Sequence, residues 1–373
     1  MKIAFDARWL FQGGHGDVTY LRNLIKTLAR VASHDEFWLY YREFDALRES
    51  LSAQHSNIHT SSLSFPVGAL WNQCALAPAI GRAGMDVLHG NYMLPFWAPC
   101  PMVVTIHDAT FRLFPEWIAP RPRRLMNFLI PLAAQRATRI LTVSECSKQD
   151  IVRCFEVPPG KVSVTYNGVS SQFTAHDPME AHLRVREVYP ALANPFVAGI
   201  GLRGPRKNIG VVLRAILQLC SRGAWPNEMK FAVAGTREQF PDEEFEKLDE
   251  VVEFLGFVDE KLLPDIYAAA QCSVYPSLYE GFGLPVLEAM ACGCPVICSN
   301  TSSLPEVAGG AAAMLAPNDE EGWANVLDSV LHDENHRAML RDRGLKRAAF
   351  FSWEKCARET LAVYEEVTGK THG

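Results

Sequence analysis

The sequence of 373 residues has no apolar run long enough to cross a membrane. A spanning helix needs about 18 or more apolar residues in succession, and no stretch of this chain approaches that length. The first residues, M-K-I-A-F-D-A-R, are interrupted by Asp6 and Arg8 and do not form the apolar core of a secretory signal. We therefore expect a cytoplasmic protein with reduced cysteines.

The sequence also lacks the patterns that hold metal ions. Its ten cysteines are scattered, and Cys292, Cys294 and Cys298 have no partner pair with the spacing of a zinc site. His332 and His336 lie four residues apart, but without the H-E-x-x-H order of metalloproteases. There is no D-x-D motif to support a metal-bridged diphosphate. We predict a protein that needs neither a metal nor a cofactor.

Charge is distributed unevenly along the chain. Residues 1–167 contain 17 Lys and Arg against 13 Asp and Glu, whereas residues 168–373 contain 19 against 29. This distribution argues against nucleic acid as the main partner. The length suits two domains, and a hydrophobic fraction of 48% is typical of globular proteins.

Strand-like apolar runs alternate with helical stripes, which predicts two α/β domains in succession. The first series begins with a strand, a glycine-rich loop and a helix that Asp17 would cap. Further on we predict a helix near residues 43–53 and a polar loop that extends through Pro66. Residues 170–194, with Pro178, Pro190 and the following Pro195, predict a linker that includes a short helix at 180–188. An apolar strand at 196–201 opens the second series.

One stretch of the second series combines the features of an anion-binding turn. Residues 275–300 read Y-P-S-L-Y-E-G-F-G-L-P-V-L-E-A-M-A-C-G-C-P-V-I-C-S-N, which predicts strand, loop, helix and strand. Gly281 and Gly283 let the backbone approach a ligand closely, and the helix start offers free N–H groups to a diphosphate. Glu280 and Glu288 bracket the turn as acceptors for sugar hydroxyls, so the pattern indicates a nucleotide sugar. The alternative for Glu288 is a carboxylate that merely favours a helix start.

Two other candidate contacts follow buried strands, where α/β folds place their ligands. Arg206 and Lys207 suit the neutralisation of a leaving diphosphate. The G-x-G-x-x-G before them is not a dinucleotide fingerprint, because Pro205 intervenes and the ribose-binding acid is missing. His107 is a candidate sugar or phosphate contact. A solvated basic pair and a structural histidine are the alternatives.

Residues 121–137, R-P-R-R-L-M-N-F-L-I-P-L-A-A-Q-R-A, combine arginines with an apolar helix. One interpretation is a helix that rests on an anionic membrane surface. The other, which the sequence favours, is a core helix with a basic start.

Together these motifs resemble the family-four retaining glycosyltransferases of the GT-B fold. The resemblance covers nearly the whole chain and rests on F-D-A-R with the glycine loop, T-I-H-D at 105–108, T-V-S-E-C-S-K at 142–148, V-T-Y-N-G-V at 164–169, G-P-R-K-N at 204–208, F-L-G-F-V at 254–258 and the motif at 276–296. It implies two Rossmann-like doubly wound domains that face each other across a cleft. Residues 1–175 would form the acceptor-side domain, residues 190–350 would bind the nucleotide sugar, and a C-terminal helix at 352–373 would cross back to the first domain.

The resemblance also implies a role for each matching residue. Arg206 and Lys207 would hold the donor diphosphate, Glu280 would contact the donor hexose, and Glu288 the nucleotide ribose. The other matches are Phe282, Gly283 and Leu284 as backbone contacts to sugar and phosphate, Phe257 and Val258 beside the base, Gly14 near the diphosphate, and His107 near the transferred sugar. Many relatives carry G-x-G-R-Y after the first strand, whereas this chain has G-G-H-G-D-V-T-Y, in a region that helps to shape the acceptor side.

The implied activity is retaining, metal-independent transfer of a hexose to a hydroxyl of a glycan or lipid-linked acceptor. Mannose from GDP-mannose is the first donor that we predict, and UDP-glucose or another UDP-sugar is the alternative. An epimerase or phosphorylase of the same fold and a non-catalytic nucleotide-sugar sensor are the remaining classes, and donor turnover separates the sensor from an enzyme. A lipid-linked acceptor would place the protein at the inner face of the cell membrane, in peripheral contact with anionic lipid.

Overall fold

The computed structural model describes residues 1–8, 10, 15–42, 55–66, 70–240 and 243–370. The chain divides into two compact units. Unit 1 comprises Met1–Gly168 and Ser352–Gly373, and unit 2 comprises Val169–Phe351. Unit 1 is therefore built from both ends of the sequence.

Unit 1 contains a seven-stranded sheet in which every pairing is parallel. Its strands are β1 (Lys2–Asp6), β2 (Glu36–Arg42), β3 (Ile58–Leu63), β4 (Val87–Asn91), β5 (Met102–Thr105), β6 (Arg139–Thr142) and β7 (Val162–Val164). They lie in the order β3-β2-β1-β4-β5-β6-β7, so the direction of winding reverses between β1 and β4. The helices among them are α1 (His15–Val31), α2 (Ala77–Ala83), α3 (Thr110–Leu113), α4 (Pro120–Arg136) and α5 (Glu145–Phe155).

Unit 2 repeats this plan with six parallel strands. They are β8 (Phe196–Gly199), β9 (Lys230–Val233), β10 (Val252–Phe254), β11 (Cys272–Tyr275), β12 (Val296–Ser299) and β13 (Ala313–Leu315), in the order β10-β9-β8-β11-β12-β13. Its helices are α6 (Pro178–Val188), α7 (Ile209–Ser221), α8 (Leu263–Ala269), α9 (Leu284–Ala291), α10 (Leu304–Ala308), α11 (Glu320–His332) and α12 (Glu334–Ala348). Strands β8, β11 and β12 are buried along their whole length and are mostly apolar, as expected where helices cover both faces of a parallel sheet.

The last helix, α13 (Trp353–Thr368), belongs to unit 1, as the sequence predicted. The Ser352 hydroxyl caps it by accepting from the Lys355 amide at 3.1 Å. The ring of Trp353 lies 6.2 Å from that of Tyr20, and Tyr364 is hydrogen-bonded to the buried His89. The helix is thus fastened to unit 1 through both aromatic packing and a buried polar contact.

Local predictions differ from the structure at several points. The polar loop expected through Pro66 contains β3, an edge strand whose alternating burial leaves no apolar run to recognise. Asp17 is not the N-cap of α1, because the helix already begins at His15 and Asp17 lies in its first turn. The helix expected near 43–53 falls outside the described residues. Within the described residues no helix has the length and apolar character that crossing a bilayer requires.

Candidate active site

Unit 2 places its candidate residues where the winding of its sheet reverses. Strands β8 and β11 are neighbours there, and ligands of open α/β sheets bind beside the carboxyl ends of such strands. The Leu278 amide donates to the Arg206 carbonyl at 2.8 Å, and Asn208 Nδ2 donates to the Pro276 carbonyl at 3.3 Å. These bonds hold the loops after β8 and β11 side by side.

Glu280 is the centre of a buried ionic cluster in these loops. Its Oε1 atom accepts from Arg206 Nη1 at 2.6 Å, from Lys207 Nζ at 2.7 Å and from the Tyr275 hydroxyl at 3.2 Å. Lys207 also donates to the Tyr275 hydroxyl, and its ammonium lies 4.5 Å from the centre of that ring. Oε2 of Glu280 accepts no hydrogen bond from any residue that the structure describes. One carboxylate oxygen therefore holds the cluster together and the other stays available.

The cluster shifts the pKa values of its members. Burial by itself would raise the pKa of Glu280, but Lys207 and Arg206 outweigh it and lower that pKa to about 2. Burial lowers the pKa of Lys207 to about 8, although Glu280 acts in the opposite direction. Side-chain exposure is 7% for Glu280, 9% for Lys207 and 37% for Arg206, so Arg206 is the member that reaches solvent.

Two serines after β12 hold the turn that follows Glu280. The Ser302 hydroxyl accepts from the Glu280 amide at 2.8 Å. The Ser303 hydroxyl lies within donating distance of two carbonyls, at 3.0 Å from Glu280 and 2.8 Å from Phe282. The ring of Phe282 is buried and packs edge-on against Phe351. The backbone of the turn is therefore fixed before any ligand binds.

Gly283 ends this turn and begins α9. Its φ angle is 107°, and a Cβ atom there would lie 2.7 Å from Leu304, so only glycine fits. Pro285 occupies the first turn of α9, as predicted. Within the part of the chain that is described, the amides of Gly283 and Leu284 donate no hydrogen bond. They are available to an anion at the start of the helix.

Glu288 lies one turn inside α9 and is partly buried. Loss of hydration, and then the charge of Glu260, raise its pKa to about 8. Glu260 comes from the loop after β10, where Phe257 is exposed and Val258 is half-buried. That loop contributes to a shallow groove of about 360 Å³ lined by Val188, Tyr189, Phe257, Asp259, Lys261 and Leu262.

His107 is the candidate residue of unit 1 and follows β5. Its Nε2 donates to Asn91 Oδ1 at 3.0 Å and lies 3.6 Å from Asp17 Oδ1. The ring of Tyr20 stands edge-on to the imidazole, with 4.6 Å between the ring centres. Burial lowers the pKa of His107 to about 4 even though Asp108 acts in the opposite direction. The imidazole is therefore neutral near pH 7, and its Nδ1 is left as an acceptor.

The structure brings Arg206, Lys207 and Glu280 into direct contact and places the turn up to Leu284 beside them. His107 belongs to the other unit, and Gly14 lies outside the described residues. No group of three or more His, Cys, Asp or Glu side chains within the described ranges is arranged to hold a metal ion.

Four residues of these sites were missed by the sequence interpretation, namely Asn91, Tyr275, Ser302 and Ser303. Asn91 and Tyr275 are the last residues of β4 and β11. A polar side chain at the carboxyl end of a buried strand is the same signal that pointed to His107, and it could have identified both. The two serines are distant from Glu280 in sequence but lie close to it in space, which no local pattern reveals.

Comparison with known proteins covers both units. Residues 190–347 match the family described as Glycosyl transferases group 1, and residues 15–173 match Glycosyltransferase Family 4. The O-antigen chain mannosyltransferase B of Escherichia coli is 36% identical over 294 residues, which are 75% of this chain and 74% of that protein. The MMP alpha-(1->4)-mannosyltransferase of Mycolicibacterium hassiacum is 29% identical over 336 residues, which are 83% of this chain and 78% of that protein.

Solved structures share the fold at lower sequence identity. Sucrose-phosphate synthase of Thermosynechococcus elongatus superposes with a TM-score of 0.77 at 20% identity, over 100% of both chains. HepE of Anabaena, solved in complex with UDP and glucose, gives 0.75 at 20% identity over 98% of this chain and 100% of that chain. The prediction of two Rossmann-like domains is confirmed.

Proposed function

We propose a donor, an acceptor and a stereochemical course for the reaction of this protein. The chain belongs to the glycosyltransferases of group 1 and family 4 and has their GT-B fold. The protein is a glycosyltransferase with relatives named as mannosyltransferases of O-antigen chains. In the proposed reaction it transfers mannose from GDP-mannose to a hydroxyl group of a glycan or lipid-linked acceptor. The anomeric configuration is retained and no metal takes part.

The ionic cluster of Arg206, Lys207, Tyr275 and Glu280 supports this proposal most strongly. Near pH 7 Arg206 and Lys207 are positive and Glu280 is negative, so the cluster keeps a net positive charge. The free amides of Gly283 and Leu284 add the partial positive charge of a helix start. A diphosphate suits this set, because Arg and Lys form strong charge-assisted bonds to phosphate oxygens. The same charges would stabilise the diphosphate as it leaves.

Glu280 is proposed to contact the hexose with its available oxygen. Three donors occupy Oε1, and they hold the carboxylate so that Oε2 can accept from a sugar hydroxyl. A carboxylate with a pKa of about 2 that is tied to two cations is a weak nucleophile. We therefore propose front-face attack, in which the acceptor oxygen bonds to the anomeric carbon while the carbon–phosphate oxygen bond breaks. The departing phosphate takes the acceptor proton, and the protein supplies position and electrostatics.

The remaining candidate residues are assigned to binding. Neutral His107 would accept a hydrogen bond from a sugar hydroxyl through Nδ1 and would not act as an acid. Glu288 would accept from the ribose hydroxyls, and Phe257 and Val258 would lie beside the base. Phe282, Gly283 and Leu284 would contribute backbone contacts to sugar and phosphate.

Mannose is favoured as the transferred sugar because two relatives with long matches are named as mannosyltransferases. A UDP-sugar remains the second candidate donor, since HepE, which shares the fold, was solved with UDP and glucose. The protein is proposed to act in the cytoplasm at the inner face of the cell membrane, where a lipid-linked acceptor would lie. Its ten free cysteines fit a reducing compartment.

A nucleotide panel tests the donor directly. The melting temperature is measured with GDP, UDP, GDP-mannose and UDP-glucose, and the release of free nucleotide is followed in parallel. We expect GDP and GDP-mannose to stabilise the fold, by about 2.7 kcal/mol at a ligand concentration of 100 times Kd. Stabilisation by UDP alone would overturn the GDP-mannose assignment.

Binding of any donor without turnover, with acceptor glycans present, would favour a sensor. Transfer that stops when EDTA is added would contradict the metal-independent reaction.

The contribution of Glu288 to donor binding should strengthen as pH rises through the range in which this carboxylate ionises. Because its pKa is raised to about 8, the carboxylate that accepts both ribose hydroxyls forms only as pH approaches and passes that value. Lys207, whose pKa is also about 8, loses its charge over the same range and weakens diphosphate binding, so the effect of Glu288 is measured against Glu288→Gln. Relative to that variant, the KM for the donor should fall between about pH 7 and 9, at most about tenfold per pH unit for one released proton. Glu288→Gln should remove this dependence, and Glu260→Gln should move it to lower pH.

Glu288 should also change the pH dependence of stability. Its folded-state pKa lies above the usual value of 4.5, so its contribution is fully present below about pH 4.5 and is lost as pH rises towards 8. Glu288→Gln should flatten the melting temperature across that window. An unchanged pH profile of both KM and melting temperature in Glu288→Gln would contradict the assignment.

A further inference from the structure

Unit 1 carries its exposed apolar side chains in a few neighbouring segments. Among its described residues, the large apolar side chains that are exposed are Leu70, Phe96, Trp97, Leu125 and Phe128. The loop after β4 contributes Phe96 and Trp97, which are 48% and 64% exposed, and helix α4 contributes Leu125 and Phe128, at 48% and 65%. A single exposed apolar residue is ordinary, but a group of this kind marks an interaction surface.

Helix α4 joins apolar and basic side chains on one face. With about 3.6 residues per turn, Arg121, Arg124, Leu125 and Phe128 lie along one stripe, and all four are exposed. The opposite side of the helix packs into the core through Ile130, Ala133 and Ala134. The sequence favoured a core helix for this stretch, but α4 is a core helix on only one side.

The loop after β4 is connected to this stripe. Arg136, two turns beyond Phe128, places its guanidinium 5.5 Å from the centre of the Phe96 ring. The Phe96 amide donates to Gln73 Oε1 at 2.7 Å, which fixes the loop from its other side. The aromatic pair Phe96 and Trp97 is thus held at one end of the α4 stripe.

The charge of this region has a single sign. No Asp or Glu occurs between Glu116 and Glu145, and the stretch between them contains Arg121, Arg123, Arg124, Arg136 and Arg139. Arg121 and Arg124 are exposed beside the apolar side chains. Arginines around exposed aromatic and aliphatic residues are complementary to a surface that is negative outside and apolar beneath.

We propose that the α4 surface, defined as Phe96, Trp97, Arg121, Arg124, Leu125 and Phe128, docks unit 1 on an anionic lipid bilayer. Helix α4 lies along the interface, its arginines bind lipid phosphates, and Phe128 and Trp97 enter the boundary between headgroups and acyl chains. Tryptophan and phenylalanine suit that boundary because they combine apolar area with polarisable rings. The inference deepens the proposed location at the membrane and rests on it, but it does not depend on the identity of the donor sugar.

Sedimentation with lipid vesicles tests this proposal on the full chain. Vesicles of phosphatidylcholine alone are compared with vesicles that also contain phosphatidylglycerol, at low and at high salt. We expect binding only to the anionic vesicles and a decrease with salt. The double substitution Arg121→Gln with Arg124→Gln should weaken binding roughly 25-fold, about fivefold for each arginine. Phe128→Ser should weaken it as well, and its loss should persist at low salt.

Matched substitutions in unit 2 serve as controls. Phe350→Ser removes a phenylalanine that is 68% exposed, and Arg186→Gln with Arg343→Gln removes two exposed arginines. These variants should bind vesicles as the unsubstituted protein does, and the melting temperature of every variant shows whether it is folded. Equal binding to neutral and anionic vesicles, or folded α4 variants that bind normally, would overturn the proposal. So would a concentration-dependent dimer that the α4 substitutions dissociate, because the surface would then join two copies of the chain.

Discussion

Replacing Lys207 by alanine should lower the turnover number by roughly 100-fold or more, the loss expected when a main charge stabiliser of the reaction is removed. Lys207 is the buried cation of the cluster, and it is proposed to offset the charge that develops on the departing diphosphate. Arg206 remains paired with Glu280 in this variant, so the fold should survive and the loss should appear mainly in kcat. The measurement is steady-state transfer from the donor, with the melting temperature recorded alongside.

Two further variants make this result specific. Lys346→Ala removes a lysine that lies on the surface of α12 and pairs with Asp342, and it should leave turnover unchanged. Lys207→Arg keeps the charge but changes its position and shape, so it should recover part of the lost activity. Near-normal turnover in a folded Lys207→Ala protein would remove Lys207 from the mechanism.

Replacing Glu280 by alanine should destabilise the protein far more than replacing Lys207. The substitution leaves Lys207 buried beside Arg206 without the carboxylate that offsets them, and breaking a buried ion pair in this way costs about 3 to 5 kcal/mol. The midpoint of thermal unfolding should fall by roughly 6 to 20 °C. Glu187→Ala, at an exposed position of α6, should leave the midpoint unchanged.

The pH dependence of stability offers a second check on the role of Glu280. The pKa of Glu280 is depressed to about 2, so its stabilising contribution is present above the usual pKa of about 4.5 and is lost as pH falls towards 2. Glu280→Gln should lack this part of the acid destabilisation. If Glu280→Ala melted like the unsubstituted protein, the cluster would contribute little to folding and its contacts would have to be looser than the structure has them.

The doubly wound plan of both sheets was predictable from the sequence because alternating strands and helices allow few arrangements. Apolar runs such as those of β5 and β8 are recognisable without knowledge of their neighbours, and right-handed crossovers then favour a doubly wound sheet. β3 was not predicted, because it contains no such apolar run. As an edge strand it fully buries only Ile58 of I-H-T-S-S-L, so its pairing with β2 decides its conformation.

The turn at Gly283 was predictable because local chemistry determines it. A glycine at positive φ, followed by proline in the first turn of a helix, indicates a tight turn into a helix whatever surrounds it. The contact between Lys207 and Glu280 is different, since 73 residues separate them in sequence. The sequence pattern assigned Lys207 to the diphosphate and Glu280 to the sugar. It could not reveal that these two side chains also form an ion pair with each other. The raised pKa of Glu288 likewise depends on Glu260 and on burial, which only the folded chain provides.

Unit 1 is built from two segments that are far apart in the sequence. This arrangement constrains the order in which the chain can fold during synthesis. The ribosome releases residues 1–168 and then all of unit 2 before Trp353–Thr368 emerges. Until then, Tyr20 and His89 lack the partners that Trp353 and Tyr364 provide, and an apolar surface of the first segment stays open to solvent. Unit 2 is continuous in sequence and can be completed first. We therefore expect the half-made protein to depend on chaperones, and nascent chains released before residue 353 to aggregate more readily than complete ones.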